Sequence, residues 1–528
     1  MKKVKLTANI SDFAEIRSNG YYYVDKTDLI KEILNNAWAK ARLITRPNYF
    51  GKTTNMSMIA EFFDARKDNR KLFEGLSISG DKELCDEWMN QYPVISISFK
   101  EINGNNFETI YKQISELIAL LYKSYEFIVC ESDFNDYDKQ SFSDLSEGKA
   151  DIVDLSRSLE LLTRLLHAHY KKRVILLMDA YDVPIETSVK FGYERKMTDV
   201  MKGLLYTVKN NSHLEFAVIT GCLKTASDSI FTDVNNIVLD SVVNPRFDKY
   251  FGFSESEVDQ LLEDFGLADK KCIFHEWYGG YHIGKYDLYC PYEVICYAED
   301  LKCHSDKSPE SYRQEDKGSI IIRSLIDNEG FAISKKLETL IAGGYIVQLI
   351  DEHRCCKKNT VNQNDYWSLL YLKGYLTVAK DVPADDFHTA LMIPDEGIRE
   401  IYRSTVIEWF NDTVQKWDRN KLFEAVWNGN TEVITEEMSR LLRQTISYYD
   451  YREDYYHAFL AGIFAGAGYT TESNKEHGEG RSDVVVKYRR DGKVAVFELK
   501  LAEKFDQLEK KCNEALQQID ERKYAEEF

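Results

Sequence analysis

Four short, largely apolar runs recur through the first half of the chain, with stretches of helical period between them. They are Arg42-Leu43-Ile44-Thr45, Val94-Ile95-Ser96-Ile97-Ser98-Phe99, Val174-Ile175-Leu176-Leu177-Met178-Asp179 and Phe216-Ala217-Val218-Ile219-Thr220. Short apolar runs without polar alternation suit strands buried on both faces. The stretch from Phe107 to Tyr125 carries helical period. Strands alternating with helices predict an α/β fold, a parallel sheet with helices on both faces. Another helix start is marked by Ser254-Glu255-Ser256-Glu257 ahead of apolar Val258.

A chain of 528 residues exceeds one ordinary core, and roughly three or four domains are expected. Apolar content of 44%, with 34 Tyr against 8 Pro, fits a folded globular chain rather than a disordered one. No apolar run approaches the about 20 residues of a membrane-spanning helix. The basic start Met1-Lys2-Lys3 has no apolar segment behind it, so no signal peptide is read and the cytoplasm is the expected compartment. Ten scattered cysteines without a C-x-x-C pair read as reduced thiols. Cys272, His275, Cys303 and His304 are an alternative zinc set. A net charge of −19 argues against generic binding along long DNA tracts. Even so, Arg481, Lys487, Arg489, Arg490, Lys493, Lys500 and Lys504 form a local basic cluster, either a groove or a solvated mixed face.

Along the chain, the boundaries fall at 1–250 for the sheet domain, 251–446 for a helical middle region, and 447–528 for a final module opened by a Tyr-rich helix. Lys302 to Gly318 is polar and reads as a linker or exposed loop. Leu337–Val347 and Ser368–Val378 echo one another as helix end, Gly turn and short strand. That pattern fits winged-helix modules, or two packed α–β corners.

Two places carry chemistry. The first strand runs into Phe50-Gly51-Lys52-Thr53-Thr54 and then a helical pattern, the context in which a Gly-Lys-Thr turn holds phosphate. Gly51 and the backbone would cradle phosphate, Lys52 would reach its oxygens, and Thr53 would bind Mg²⁺. Asp179, ending an apolar strand, is the matching acidic partner. Two features depart from the motif: Arg46 stands where it has its first glycine, and Ala180 stands where a water-orienting Glu is expected, with Asp182 and Glu186 nearby at other offsets. Near the C-terminus, Asp483 in Gly480–Val486 and Glu498-Leu499-Lys500 after Val494–Phe497 bring two carboxylates and a lysine together on adjacent strands. In a strand Glu498 and Lys500 share a face. Carboxylate oxygens hold Mg²⁺ or Mn²⁺, the metal neutralises charge on a phosphodiester, and the lysine orients water. Glu453 is a further candidate metal ligand, Glu476 a weaker one, and His457 reads as packed beside the site.

The spacing of Asp483, Glu498 and Lys500 resembles the PD-(D/E)XK nuclease superfamily. Taken with Gly20-Tyr21-Tyr22-Tyr23-Val24-Asp25-Lys26-Thr27, Thr45-Arg46-Pro47 through Thr53, Asn55-Met56-Ser57-Met58, Tyr181-Asp182-Val183-Pro184, Thr220-Gly221 and Ser229–Asn236, the chain resembles the AAA-ATPase-like proteins of bacteria that carry a nuclease-like C-terminal domain. The C-terminal part of the match also runs through Tyr456-His457, Ser473–Glu476 and Ala515–Ile519. The resemblance implies an ATP-binding α/β domain, a helical and winged middle, and a restriction-endonuclease-like end. It puts Gln518 beside the catalytic lysine and makes nucleic acid a partner, leaving a homo-oligomer open. It implies a role in mobile-element or phage defence, and relatives usually continue with another strand where this chain stops at Tyr524–Phe528. Asn48-Tyr49 replaces a family Arg-Arg, Ala180 a Glu, Lys224 an Arg, and Gly279 an Asp. These changes predict weak or lost ATP hydrolysis. The competing function is a non-catalytic nucleotide-binding scaffold.

Overall fold

The computed structural model describes residues 5–36, 39–131, 134–224, 237–243, 246–313, 318–329, 331–352, 363–380, 382, 388–416, 420–445, 460–461, 463–464, 469–477, 480–488, 492–502, 504–524 and 528. Two compact units result, Met1–Ile321 with Gly343–Ile401, and Ile322–Ala342 with Tyr402–Phe528.

The first unit is organised by a five-stranded sheet in the order β2-β3-β4-β1-β5. Its strands are β1 (Ala41–Thr45), β2 (Val94–Ser98), β3 (Val174–Asp179), β4 (Leu214–Gly221) and β5 (Ile237–Asp240). Every pairing is parallel. The apolar runs of β1, β3 and β4 lack polar alternation because both faces are covered, whereas the edge strand β2 alternates and leaves Ser96 and Ser98 exposed. On β3, Val174, Leu176 and Met178 enter a core with Ile110, Leu159 and Met201. Ile175 and Leu177 enter the opposite core with Met58, Ile59 and Phe62. Period-two side chains thus feed two separate cores. The helical stretch expected from Phe107 runs to Lys123, capped by Asn106.

Beyond the sheet, the helix Glu255–Phe265 starts on a capping box between Ser254 and Glu257. Two small antiparallel sheets follow. β6 (Phe253–Ser254), β7 (Tyr281–Ile283) and β8 (Tyr286–Tyr289) form one, and β9 (Ile346–Leu349), β10 (Thr377–Val378) and β11 (His388–Met392) form the other. The sequence echo corresponds to helix Phe331–Ile341, left-handed Gly343 and β9, then helix Gln363–Leu372, left-handed Gly374 and β10. The two strands pair with the opposite sides of β11.

The polar stretch after Lys302 is exposed over His304–Asp306 and at Ser308, and is anchored farther on. Tyr278 Oη and Tyr297 Oη donate to its carbonyls at Glu310 and Lys307, and Arg313 is buried with its guanidinium donating to Tyr281 Oη at 3.0 Å. Polar composition does not reveal that tyrosines nearby in the fold anchor the segment.

The second unit contains an antiparallel sheet in the order β12-β13-β14, with β12 at Thr470–His477, β13 at Gly480–Tyr488 and β14 at Lys493–Phe497. Val484, Val486 and Phe497 pack with Leu422, Phe423, Ile463 and Phe464. Asp483 is turned by the same alternation to the other face. Among the described residues no helix is long and apolar enough to cross a membrane.

Candidate functional site

In the first unit, β1 leads through Arg46–Phe50 into the helix Lys52–Phe63. Gly51 caps that helix at φ +79°, a left-handed conformation that glycine adopts without a Cβ penalty. The first helical turn carries no acidic residue, so its N–H groups and dipole are available to an anion. Lys52 Nζ donates to the carbonyls of Arg46 at 2.9 Å and Pro47 at 2.7 Å, and lies 3.4 Å from Cys222 Sγ. Thr53 Oγ1 donates to Asp179 Oδ2 at 2.9 Å. Asp179 is buried and accepts two more hydroxyls, Ser98 at 3.0 Å and Thr220 at 2.6 Å. Gly51, Lys52, Thr53 and Asp179 therefore meet at the carboxyl edge of the parallel sheet, where such sheets bind ligands. Sequence reasoning missed Ser98, although it ends a strand paired in register with Asp179.

Ala180 follows with φ +56° and no polar atom on its side chain. Neither nearby carboxylate is idle. Asp182 Oδ2 accepts the N–H groups of Cys222 at 2.7 Å and Leu223 at 3.0 Å. Burial and then the neighbouring Glu186 push the Asp182 carboxyl above the usual range, while Lys373 pulls it down. Glu186 Oε1 is 2.8 Å from Lys373 Nζ.

Arg46 stands where the motif has its first glycine, yet its side chain turns into the protein. It is fully buried and donates to the carbonyls of Thr45 at 2.7 Å, Asp240 at 2.9 Å and Arg246 at 2.7 Å. Burial lowers its pKa to about 10, with Asp240 opposing. The replacement of glycine thus ties the loop to the end of β5. Farther along the loop, Tyr49 has φ +68° and stacks on Tyr292 with centroids 4.8 Å apart. Phe50 meets Tyr281 edge-on at 4.9 Å. Segments far away in sequence therefore hold the loop.

In the second unit, β13 and β14 pair Val484 with Phe497, so Glu498 follows directly across from Asp483. The Leu499 N–H donates to Asp483 Oδ2 at 2.7 Å, and Lys500 Nζ donates to Glu498 Oε1 at 2.6 Å. Phe497 and Leu499 lean on the core, as strand alternation requires. The Glu498 side chain is 0% exposed, and its Oε2 is buried without a hydrogen-bond partner. Burial raises its pKa, Lys500 opposes, and the Asp483 charge raises it further. A buried, incompletely bonded carboxylate oxygen beside a second carboxylate is an oxygen-donor set that a hard divalent cation fits. Among the described residues no group of three or more His, Cys, Asp or Glu side chains could hold a metal, so this set is a pair.

Gln518, on the helix Leu508–Glu521, donates to Tyr524 Oη at 3.3 Å. Glu476 lies on β12 opposite Arg481. Glu453 and His457 lie outside the described residues, as do Ser229–Asn236. Of the basic cluster, Lys487 pairs with Glu472 at 3.1 Å, and Lys500 pairs with Glu498. In the alternative zinc set, His275 Nδ1 is 3.0 Å from Tyr289 Oη.

These two constellations coincide with two family matches. Residues 7–231 match the AAA-ATPase-like model, described as predicted AAA-ATPase, and residues 451–528 match the PD-(D/E)XK nuclease superfamily. The chain thus carries an AAA-ATPase-like domain and, at its C-terminal end, a PD-(D/E)XK-superfamily domain. It is similar to a protein of Azotobacter chroococcum mcd 1 described as an uncharacterized protein in the vnfD 5' region, with 26% identity over 298 residues. The match takes in 56% of this chain and 52% of that protein, so the chain spans about half the length of the curated relative it matches.

Proposed function

We propose that the chain is a metal-dependent nuclease joined to an ATP-binding domain whose own hydrolysis is weak or absent. Residues 1–250 form the nucleotide-binding part, 251–446 a helical and winged middle, and 447–528 the nuclease part. The observation that carries the reading is the buried Glu498 Oε2, unpartnered and beside Asp483, with Lys500 on the same face. Asp483 and Glu498 would hold Mg²⁺ or Mn²⁺, with Glu453 as a further ligand. A bound divalent cation neutralises charge developing on a phosphodiester. Lys500 and Gln518 are the residues to orient water. In the other half, Gly51 and Lys52 take the phosphates of ATP, while Thr53 and Asp179 take its Mg²⁺. Nucleic acid of unspecified kind is the proposed partner and substrate, with a role in mobile-element or phage defence, in the cytoplasm. The lack of a carboxylate at Ala180 favours one alternative for the nucleotide half, a binding scaffold without turnover.

Purified protein assayed with Mg²⁺ or Mn²⁺ on a panel of single- and double-stranded DNA and RNA should cleave at least one substrate. Asp483→Ala or Lys500→Ala should abolish that cleavage while leaving circular dichroism unchanged. Either variant cleaving at the unaltered rate would overturn the assignment.

A further inference from the structure

Lys373 follows the helix Gln363–Leu372, far in sequence from the loop at Gly51, yet only 6% of its side chain is exposed. Its ammonium is 2.8 Å from Glu186 Oε1, on the helix Val183–Phe191 just after Asp182. Burying such a pair has a desolvation penalty that an apolar pair would avoid. Its position relates it to the phosphate-binding loop. The next residue, Gly374, has φ +81°, and a Cβ there would stand 2.8 Å from Pro47 Cβ. The backbone at Lys373-Gly374 therefore lies directly against the loop. Cys222 contacts one lysine and feels the charge of the other. Its Sγ is 3.4 Å from Lys52 Nζ, its N–H donates to Asp182 Oδ2 at 2.7 Å, and its thiol feels the charges of Lys52, Asp182, Lys373 and Glu186. Lys52, Cys222, Asp182, Glu186 and Lys373 thus form one polar cluster at the carboxyl ends of β1, β3 and β4.

We propose that Lys373 reads the terminal phosphate of a bound nucleoside triphosphate, exchanging Glu186 for a phosphate oxygen. The inference rests on the nucleotide-binding reading above and adds its regulation. Lys373 is a nucleotide-contacting residue here. A diphosphate leaves the Lys373–Glu186 pair closed, whereas a triphosphate draws the ammonium away and shifts the adjoining segment against the loop. Glu186 is released in the same exchange, beside the position where Ala180 supplies no carboxylate.

The test uses the full chain and titration calorimetry with Mg·ATP and with Mg·ADP. Unaltered protein should bind ATP at least about tenfold more tightly than ADP, the equivalent of one charge-assisted contact. The paired variant Lys373→Met with Glu186→Gln leaves no buried charge alone and should keep ADP affinity while losing the preference. Lys373→Arg should keep part of it. Retention of the full preference by the paired variant would overturn the proposal, and so would an equal loss for both nucleotides, which marks a merely structural pair. Lys52→Ala separates the two readings. If unaltered protein binds neither nucleotide, or Lys52→Ala binds as before, nucleotide binding at this loop fails and the inference fails with it. Should the paired variant not fold, hydrogen exchange of unaltered protein decides. ATP and not ADP should change protection over residues 372–376, and identical exchange with both would sink the idea.

Discussion

Arg46 illustrates how a residue can break a motif and still serve the same loop. Its three guanidinium bonds hold the carbonyls of Thr45, Asp240 and Arg246. Replacing it by the motif's glycine would leave those buried acceptors without a donor and add backbone entropy to the unfolded chain. Arg46→Gly is therefore expected to lower stability by about 3 kcal/mol or more, measured by denaturant unfolding. An unchanged midpoint would show that the contacts carry little. Gly279 follows the same logic, since a Cβ there would meet the His275 carbonyl at 2.7 Å. Gly279→Asp, which restores the residue usual in the resembled family, should destabilise by about 1–3 kcal/mol, with a lowered melting temperature as the readout. Neither role was legible in the sequence. A motif records which residues approach a ligand, whereas Arg46 turns away from the loop to carbonyls that β5 and Arg246 bring from nearly two hundred positions later.

At the scale of elements, the strands were legible because burial on both faces leaves a compositional trace. The sheet order was not, since β1 lies between β4 and β5, and nothing local in Ala41–Thr45 records its neighbours. The β13–β14 hairpin was the most readable part: alternation alone sets Asp483 against Glu498 and sends Val484 and Phe497 to the core. Its Gln518 expectation rested on resemblance, and the side chain's described bond is to Tyr524. The raised pKa of Glu498 gives the hairpin a pH signature. With the folded pKa above the unfolded one, the folded state binds more protons. Its stability contribution is present below the unfolded pKa and lost as pH rises through the folded pKa. A divalent cation binds the deprotonated pair and should reverse that trend. Mn²⁺ in hundredfold excess over its Kd should stabilise by about 2.7 kcal/mol, more at pH 8 than at pH 5, and Asp483→Asn should remove the effect. Thermal melts with and without Mn²⁺ across that range are the check. A shift that is the same at both pH values would separate the metal from Glu498.

For the whole molecule, each compact unit is assembled from segments that are not contiguous in the chain, so linear composition could not register how the loop at Gly51 is held by Tyr281 and Tyr292. The nucleotide end nevertheless separates binding from turnover in a way that can be tested on the intact protein. Thr53 and Asp179 are already 2.9 Å apart, and the helix at Lys52 offers its N-terminus, so the residues proposed to contact a nucleotide and its magnesium already stand together. Turnover needs a group to orient or deprotonate water. Ala180 has none, Asp182 is occupied by two backbone N–H groups, and Glu186, even when released from Lys373, stands at another offset than Ala180. Loss of such a group is typically worth about 10²–10⁴ in rate. Mg·ATP should therefore raise the melting temperature by mass action, and Lys52→Ala should cancel the rise. Phosphate release should stay slow, whereas Ala180→Glu should accelerate it without tightening binding. Rapid hydrolysis by the unaltered chain would mean that the released Glu186 itself orients the water or that another copy supplies the group. Lys373→Met with Glu186→Gln then distinguishes these, abolishing turnover in the first case and sparing it in the second.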